Sequence, residues 1–164
     1  MSKPIASVIR EKGFCMITPK GYSMYPMLKQ GRNQVCVVRA EQPLELYDVA
    51  LYIRSDGTHV LHRVIGFEEN SYIMCGDNQW EPEHGITPDM VIGRLDSWYK
   101  GKKEYKTDGK RYLRYVRFWC KSLKRRRRIL KIRRAFCEIG WFFKGVFGKI
   151  ARILRIKIVI LWKM

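Results

Sequence analysis

The chain has 164 residues, 46% of them hydrophobic and 29% charged. That is enough apolar material for one packed domain with an appendage, and it excludes wholesale disorder. The formal net charge of +18 is placed unevenly: residues 1–99 hold 10 Lys and Arg against 12 Asp and Glu, whereas residues 100–164 hold 23 against 3. A break this sharp predicts one domain over 1–99 and a separate basic region over 100–164.

Five cysteines, Cys15, Cys36, Cys75, Cys120 and Cys137, form an odd set with no Cys-x-x-Cys pair. They read as reduced thiols rather than a disulfide framework or a zinc site, and no metal or cofactor is expected. The start, Met-Ser-Lys-Pro, lacks the long apolar run of a secretory signal. Nowhere do ~18 apolar residues run uninterrupted, so no membrane-spanning helix is predicted.

In chain order, residues 4–12 suit a short helix ended by Gly13. Residues 35–38, 49–53, 59–65, 71–74 and 90–93 are short runs rich in β-branched and aromatic side chains, separated by turn residues. Asp56-Gly57 between two such runs predicts a hairpin. This pattern predicts a mainly β fold, a small barrel or coiled β-sheet domain, followed by a basic helical tail. After Gly109, Leu113, Val116, Leu123, Leu130 and Phe136 recur among Arg and Lys at roughly helical spacing, and residues 125–128 are consecutive arginines. Residues 139–162 are strongly apolar. On a helical wheel Lys144, Lys149, Arg152 and Arg155 share one arc of about 140°, with Lys157 outside it, opposite a broad aromatic and aliphatic face.

Three segments carry candidate chemistry. In Gly21-Tyr22-Ser23-Met24-Tyr25-Pro26-Met27-Leu28, Ser23 sits where a loop can present its hydroxyl and its amide together. In Leu61-His62-Arg63-Val64, the imidazole of His62, titrating near ~6.5 when unperturbed, can take a serine proton at neutral pH. In Cys75-Gly76-Asp77-Asn78, Asp77 can orient that imidazole, although an aspartate there equally suits an Asx turn. Each segment alone is also what an ordinary loop or strand contains.

Taken in this order and spacing, Gly-x-Ser-Met-x-Pro-x-Leu, His-Arg-Val and Gly-Asp-Asn resemble the signal peptidase I family. The likeness is to its endoplasmic-reticulum, archaeal and sporulation type, and it covers roughly residues 14–97. The resemblance implies a serine endopeptidase cleaving signal or leader peptides, with Ser23 as nucleophile, His62 as general base and Asp77 as the group that orients it. It also implies an extended peptide substrate docked as an added strand. Relatives with a lysine base have no counterpart here, since no lysine lies between Lys29 and Lys100. His59, on the opposite strand face, and His84, in an acidic loop, rank below His62. Three features depart from the family pattern: the segment before Ser23 carries no membrane anchor, Gly21, two before the serine, offers no hydroxyl to an oxyanion hole, and Tyr47-Asp48 stands where the family usually has Gly-Asp.

A helix with a cationic and a broad apolar face suits an anionic bilayer surface. Residues 111–164 are therefore expected to hold the protein peripherally at a membrane, the rest lying in the cytoplasm. Nucleic acid is not the expected partner, because it offers the apolar half of the tail little. The alternative of another class is a catalytically inactive peptide-binding module of the same fold, its tail gripping membrane or nucleic acid.

Overall fold

The computed structural model describes residues 4–135. The amphipathic helix expected over 139–162 and Cys137 lie outside them. Helix α1 (Ile5–Lys12) stops where Gly13 takes the left-handed conformation, φ 80°, and its N–H closes on the Ile9 carbonyl at 2.9 Å. Eight strands follow: β1 (Phe14–Ile17), β2 (Asn33–Val38), β3 (Val49–Ile53), β4 (His59–Glu68), β5 (Ser71–Cys75), β6 (Glu83–Ile86), β7 (Val91–Lys100) and β8 (Lys103–Lys106). The first four predicted runs match β2, β3, β4 and β5 to within a few residues, whereas the fifth, 90–93, covers only the start of the ten-residue β7. The Asp56-Gly57 hairpin joins β3 to β4, where the Thr58 amide donates to Asp56 Oδ1 at 2.8 Å.

All pairings are antiparallel, in the order β1-β2-β7-β3-β4-β5-β6. Strand β7 organises the sheet. One edge of it pairs with β2, and the other pairs first with β3 (through Arg94) and then, from Ser97 on, with β8. Register shifts at Cys36/Val37, Leu51/Tyr52 and Val64/Gly66 add bends that coil the sheet. The domain is mainly β, as expected, but β1 and β6 end the sheet without meeting, so it is an open coiled sheet and not a closed barrel.

Alternation along the strands divides the apolar side chains between two clusters. One gathers Ile9 of α1, Met24, Leu28, Val35, Val37, Leu51, Leu61 and Leu95. The other gathers Leu44, Ala50, Tyr52, Val64, Met74 and Ile86. The first seals α1 and the loop carrying Ser23 against the sheet.

The charge break near residue 100 does not coincide with the edge of this unit. It falls in the β7–β8 hairpin, and the compact unit runs on to Arg126, with a second unit from Arg127 onward. After β8, a short helix α2 (Lys110–Tyr115) continues into a single wide π turn (Val116–Cys120). Helix α3 then covers residues 123–135. Within the first unit, Tyr112 tilts against Trp98 of β7, ring centroids 5.7 Å apart, which fixes α2 on the sheet.

Candidate active site

Ser23 lies in the turn between β1 and β2, half-buried, and its neighbour Met24 is a core residue. The Leu28 amide closes on the Met24 carbonyl at 2.9 Å, and the Gly21 amide donates to Gln30 Oε1 at 3.0 Å. These bonds pin the loop on both sides of the serine. His62 sits in the middle of β4, paired across to Ala50 of β3, and is 4% exposed.

The two residues, distant in the chain, meet at Gly76. A Cβ placed on Gly76 would lie 2.7 Å from the Ser23 carbonyl oxygen and 3.1 Å from His62 Nε2. Only a residue without a side chain lets these groups approach. The 76–78 turn is also tied directly to the serine loop, since the Asn78 amide donates to the Ser23 carbonyl at 2.7 Å. Ser23, His62 and Gln79 line one open cavity of about 530 Å³, which extends past Ile17, Thr18 and Pro19 at the end of edge strand β1. That volume is in the range of ordinary ligand sites. No hydrogen bond joins Ser23 Oγ to the imidazole among the described residues. Such pairs are commonly long until a substrate is bound.

Burial pushes the His62 imidazole down to about 4, against partial support from the Glu83 carboxylate. The ring is therefore neutral at physiological pH. Its Nδ1 lies 3.2 Å from the Tyr52 hydroxyl and 3.7 Å from Glu83 Oε2. The Tyr52 hydroxyl donates to Glu83 Oε2 at 2.7 Å, and Arg54 donates from Nε and Nη2 to the same carboxylate at 2.6 Å each.

Asp77 is placed differently from the role assigned to it by the family resemblance. It is fully buried, and its carboxylate takes a two-pronged bond from Arg63, Nε to Oδ1 at 2.8 Å and Nη2 to Oδ2 at 2.7 Å. Tyr115 donates to Oδ2 at 2.9 Å, Trp119 Nε1 donates to the Asp77 carbonyl at 2.8 Å, and Arg126 Nη1 stands 3.7 Å from Oδ1. His62 and Arg63 are adjacent in a strand and so face opposite sides of the sheet. A carboxylate bound to the second cannot also grip the first. Burial alone would lower the Arg63 guanidinium, but the Asp77 charge and hydrogen bonds hold it well above its ordinary value.

Of the other histidines, His59 is exposed at the start of β4 and lines the same cavity. His84 pairs with Glu68 on the surface, Nδ1 to Oε1 at 2.7 Å. The described cysteines are all free, and no cluster of His, Cys, Asp or Glu among the described residues could hold a metal ion. Tyr52, Arg54 and Glu83 are the site residues that sequence reasoning missed. Tyr52 had a faint signal: it stands two residues from Ala50, the cross-strand partner of His62, and thus on the same face.

Compared with protein-family models, curated proteins and solved structures, the chain finds no match.

Two outcomes follow from this arrangement. Asp77→Asn leaves two buried guanidinium groups without their counter-charge, so it should lower the free energy of unfolding by about 3–5 kcal/mol in urea titrations; a residue that merely oriented His62 would leave stability near wild type. The His62 imidazole accepts its proton near ~6.5 when the chain is unfolded but only near about 4 when folded. Its contribution to stability is therefore intact above pH ~6.5 and is lost as pH falls from there through 4. Relative to His62→Gln, the wild type should lose about 3 kcal/mol between pH 7 and pH 4, and parallel pH profiles of the two proteins would count against it.

Proposed function

We propose that the chain is a serine endopeptidase of the signal peptidase I type, acting on signal or leader peptides. The observation that carries this reading is the meeting of the Ser23 loop and the His62 ring nitrogen at Gly76, at the wall of one open cavity. A second observation supports it. Tyr47, which stands where the family usually has glycine, adopts φ 77°, the left-handed backbone that glycine takes most easily.

Ser23 Oγ attacks the carbonyl carbon of an extended peptide as His62 Nε2 accepts its proton. The Ser23 amide contributes to binding the oxyanion, an interaction typically worth ~3 kcal/mol. His62 then returns the proton to the leaving amine, and a water activated by the same nitrogen hydrolyses the acyl-enzyme. A neutral buried imidazole suits the first step, since its lone pair is not already occupied by a proton. Asp77 enters this scheme by fixing β4 and the 76–78 turn, through Arg63, rather than by touching the base.

The basic segment supports peripheral attachment to an anionic membrane. Among the described residues no helix is long and apolar enough to cross a bilayer. Lys121, Lys124, Arg125, Arg127, Arg128, Lys131 and Arg134 are exposed, as are the apolar Phe118 and Ile132. Arg126 is an exception within the arginine run, since it is buried beside Asp77 and Cys75.

Incubated with a precursor carrying a leader peptide and followed by mass spectrometry, the wild type should release a discrete cleaved product. Ser23→Ala should reduce the rate by more than about 10³-fold with an unfolding free energy within about 1 kcal/mol of wild type. Equal cleavage by both proteins removes Ser23 as nucleophile, and binding without cleavage by the wild type favours an inactive peptide-holding module. In vesicle flotation the full chain should rise with phosphatidylserine-containing liposomes and stay behind with neutral ones, the difference shrinking in high salt; equal recovery with both lipids argues against electrostatic attachment.

A further inference from the structure

We propose that Glu83, acting through the hydroxyl of Tyr52, is the positioning group that holds His62 in the tautomer a general base requires. The proposal rests on the peptidase reading for its purpose, but its structural content concerns the imidazole alone.

The tautomer follows from counting protons. The Tyr52 hydroxyl has one, and the short contact to Glu83 Oε2, 2.7 Å, is to a carboxylate that can only accept. Glu83 is kept ionised: burial would raise it, but the Arg54 and Tyr52 hydrogen bonds outweigh burial and lower it. Tyr52 in turn keeps its proton, because burial and the adjoining carboxylate both push its pKa up. With its proton committed to Glu83, the Tyr52 oxygen has only lone pairs to offer to His62 Nδ1 at 3.2 Å. Nδ1 must therefore be the protonated nitrogen. Nε2, the atom beside Gly76 and the Ser23 loop, is left with its lone pair facing the cavity wall.

The supporting shell is built to hold this arrangement. Tyr52 is fully buried in β3, diagonal to His62 across the β3–β4 pairing, and its ring meets the imidazole edge-on at 6.2 Å. Glu83 arrives from β6, an edge strand, and is locked by the paired Arg54 contacts, both 2.6 Å. The charged groups that act on the imidazole are Glu83 and Arg54 on this side and Asp77 and Arg126 on the other. Asp77 has both oxygens engaged by Arg63 and one also by Tyr115, so the Nδ1 side is served by Glu83 and Tyr52. The carboxylate thus acts one residue removed, with a phenol relaying its demand for a proton.

Long-range proton–nitrogen correlation spectra of the ¹⁵N-labelled full chain at pH 7 read the tautomer directly, with His62 identified by its loss in His62→Gln. The wild type should show Nδ1 as the protonated nitrogen and Nε2 as the bare one. In Tyr52→Phe and in Glu83→Gln the pattern should move toward protonated Nε2, and Glu83→Asp should restore part of the wild-type signal. In the cleavage assay both variants should lose kcat by about 10- to 100-fold, within the range a general base supplies, with KM changed less than about threefold. A wild-type imidazole protonated at Nε2, or either variant retaining the wild-type spectrum, overturns the proposal. Because the spectra need no substrate, a chain that fails to cleave any precursor leaves this result standing, so failure of the peptidase reading is told apart from failure of the relay.

Discussion

Two opposite charges with no access to water, Arg63 and Asp77, hold the domain in register. Removing such ions from water is costly, and the pair is stable only because nearly every donor and acceptor finds a partner. Around Arg63 these partners come from all over the unit: the Tyr47 carbonyl before β3, the Met27 sulfur in the serine loop, the Tyr112 hydroxyl of α2 and the Asp77 carboxylate. One guanidinium therefore fixes the strand that carries His62 relative to the loop that carries Ser23. The second cation, Arg126, is less well served, as its Nε and Nη1 lack hydrogen-bond partners among the described residues. It brings a second positive charge to a single carboxylate, and its Nη2 reaches Cys75 Sγ at 3.0 Å.

The interior strands were legible in the sequence because their side chains do the packing. Val35, Val37, Leu51 and Leu61 are core residues, and their β-branched or apolar runs mark them out; Leu95, equally buried, lies beyond the run read at 90–93. The three strands that escaped notice, β1, β6 and β8, each lie along an outer edge of the sheet or pair only with β7. Phe14–Ile17 is only four residues long, Glu83–Ile86 is largely polar, and Lys103–Lys106 is charged at both ends. Edge strands are held mainly by backbone pairing, and charge on them protects against unwanted partners, so β6 and β8 leave little apolar pattern to read, while β1 is apolar but short. Closure of the sheet was equally beyond periodicity, since it depends on whether two edges meet.

The site was legible in part. Ser23 and His62 announce themselves as a motif, and the fold brings their segments to one cavity. Asp77 announces itself just as clearly, yet the motif contains two candidate partners for its carboxylate, His62 and Arg63, one residue apart. Sequence spacing does not decide between adjacent strand residues that face opposite ways; only the fold shows that the carboxylate lies on the Arg63 side. Glu83 left no trace, because its relation to His62 passes through Tyr52 and through strand pairings β3–β4 and β5–β6 that connect residues far apart in the chain. Charge was a misleading guide to architecture for a related reason. The positive excess starts near residue 100, but packing ignores its sign: Tyr112, Tyr115, Trp119 and Arg126 belong to the sheet's own interior network.

That network decides where the chain can be cut. A fragment stopped at the compositional break would discard Tyr112, Tyr115, Trp119 and Arg126 together, opening the Asp77 pocket to solvent and stripping β8 from β7. The shortest self-sufficient piece must extend at least to Arg126.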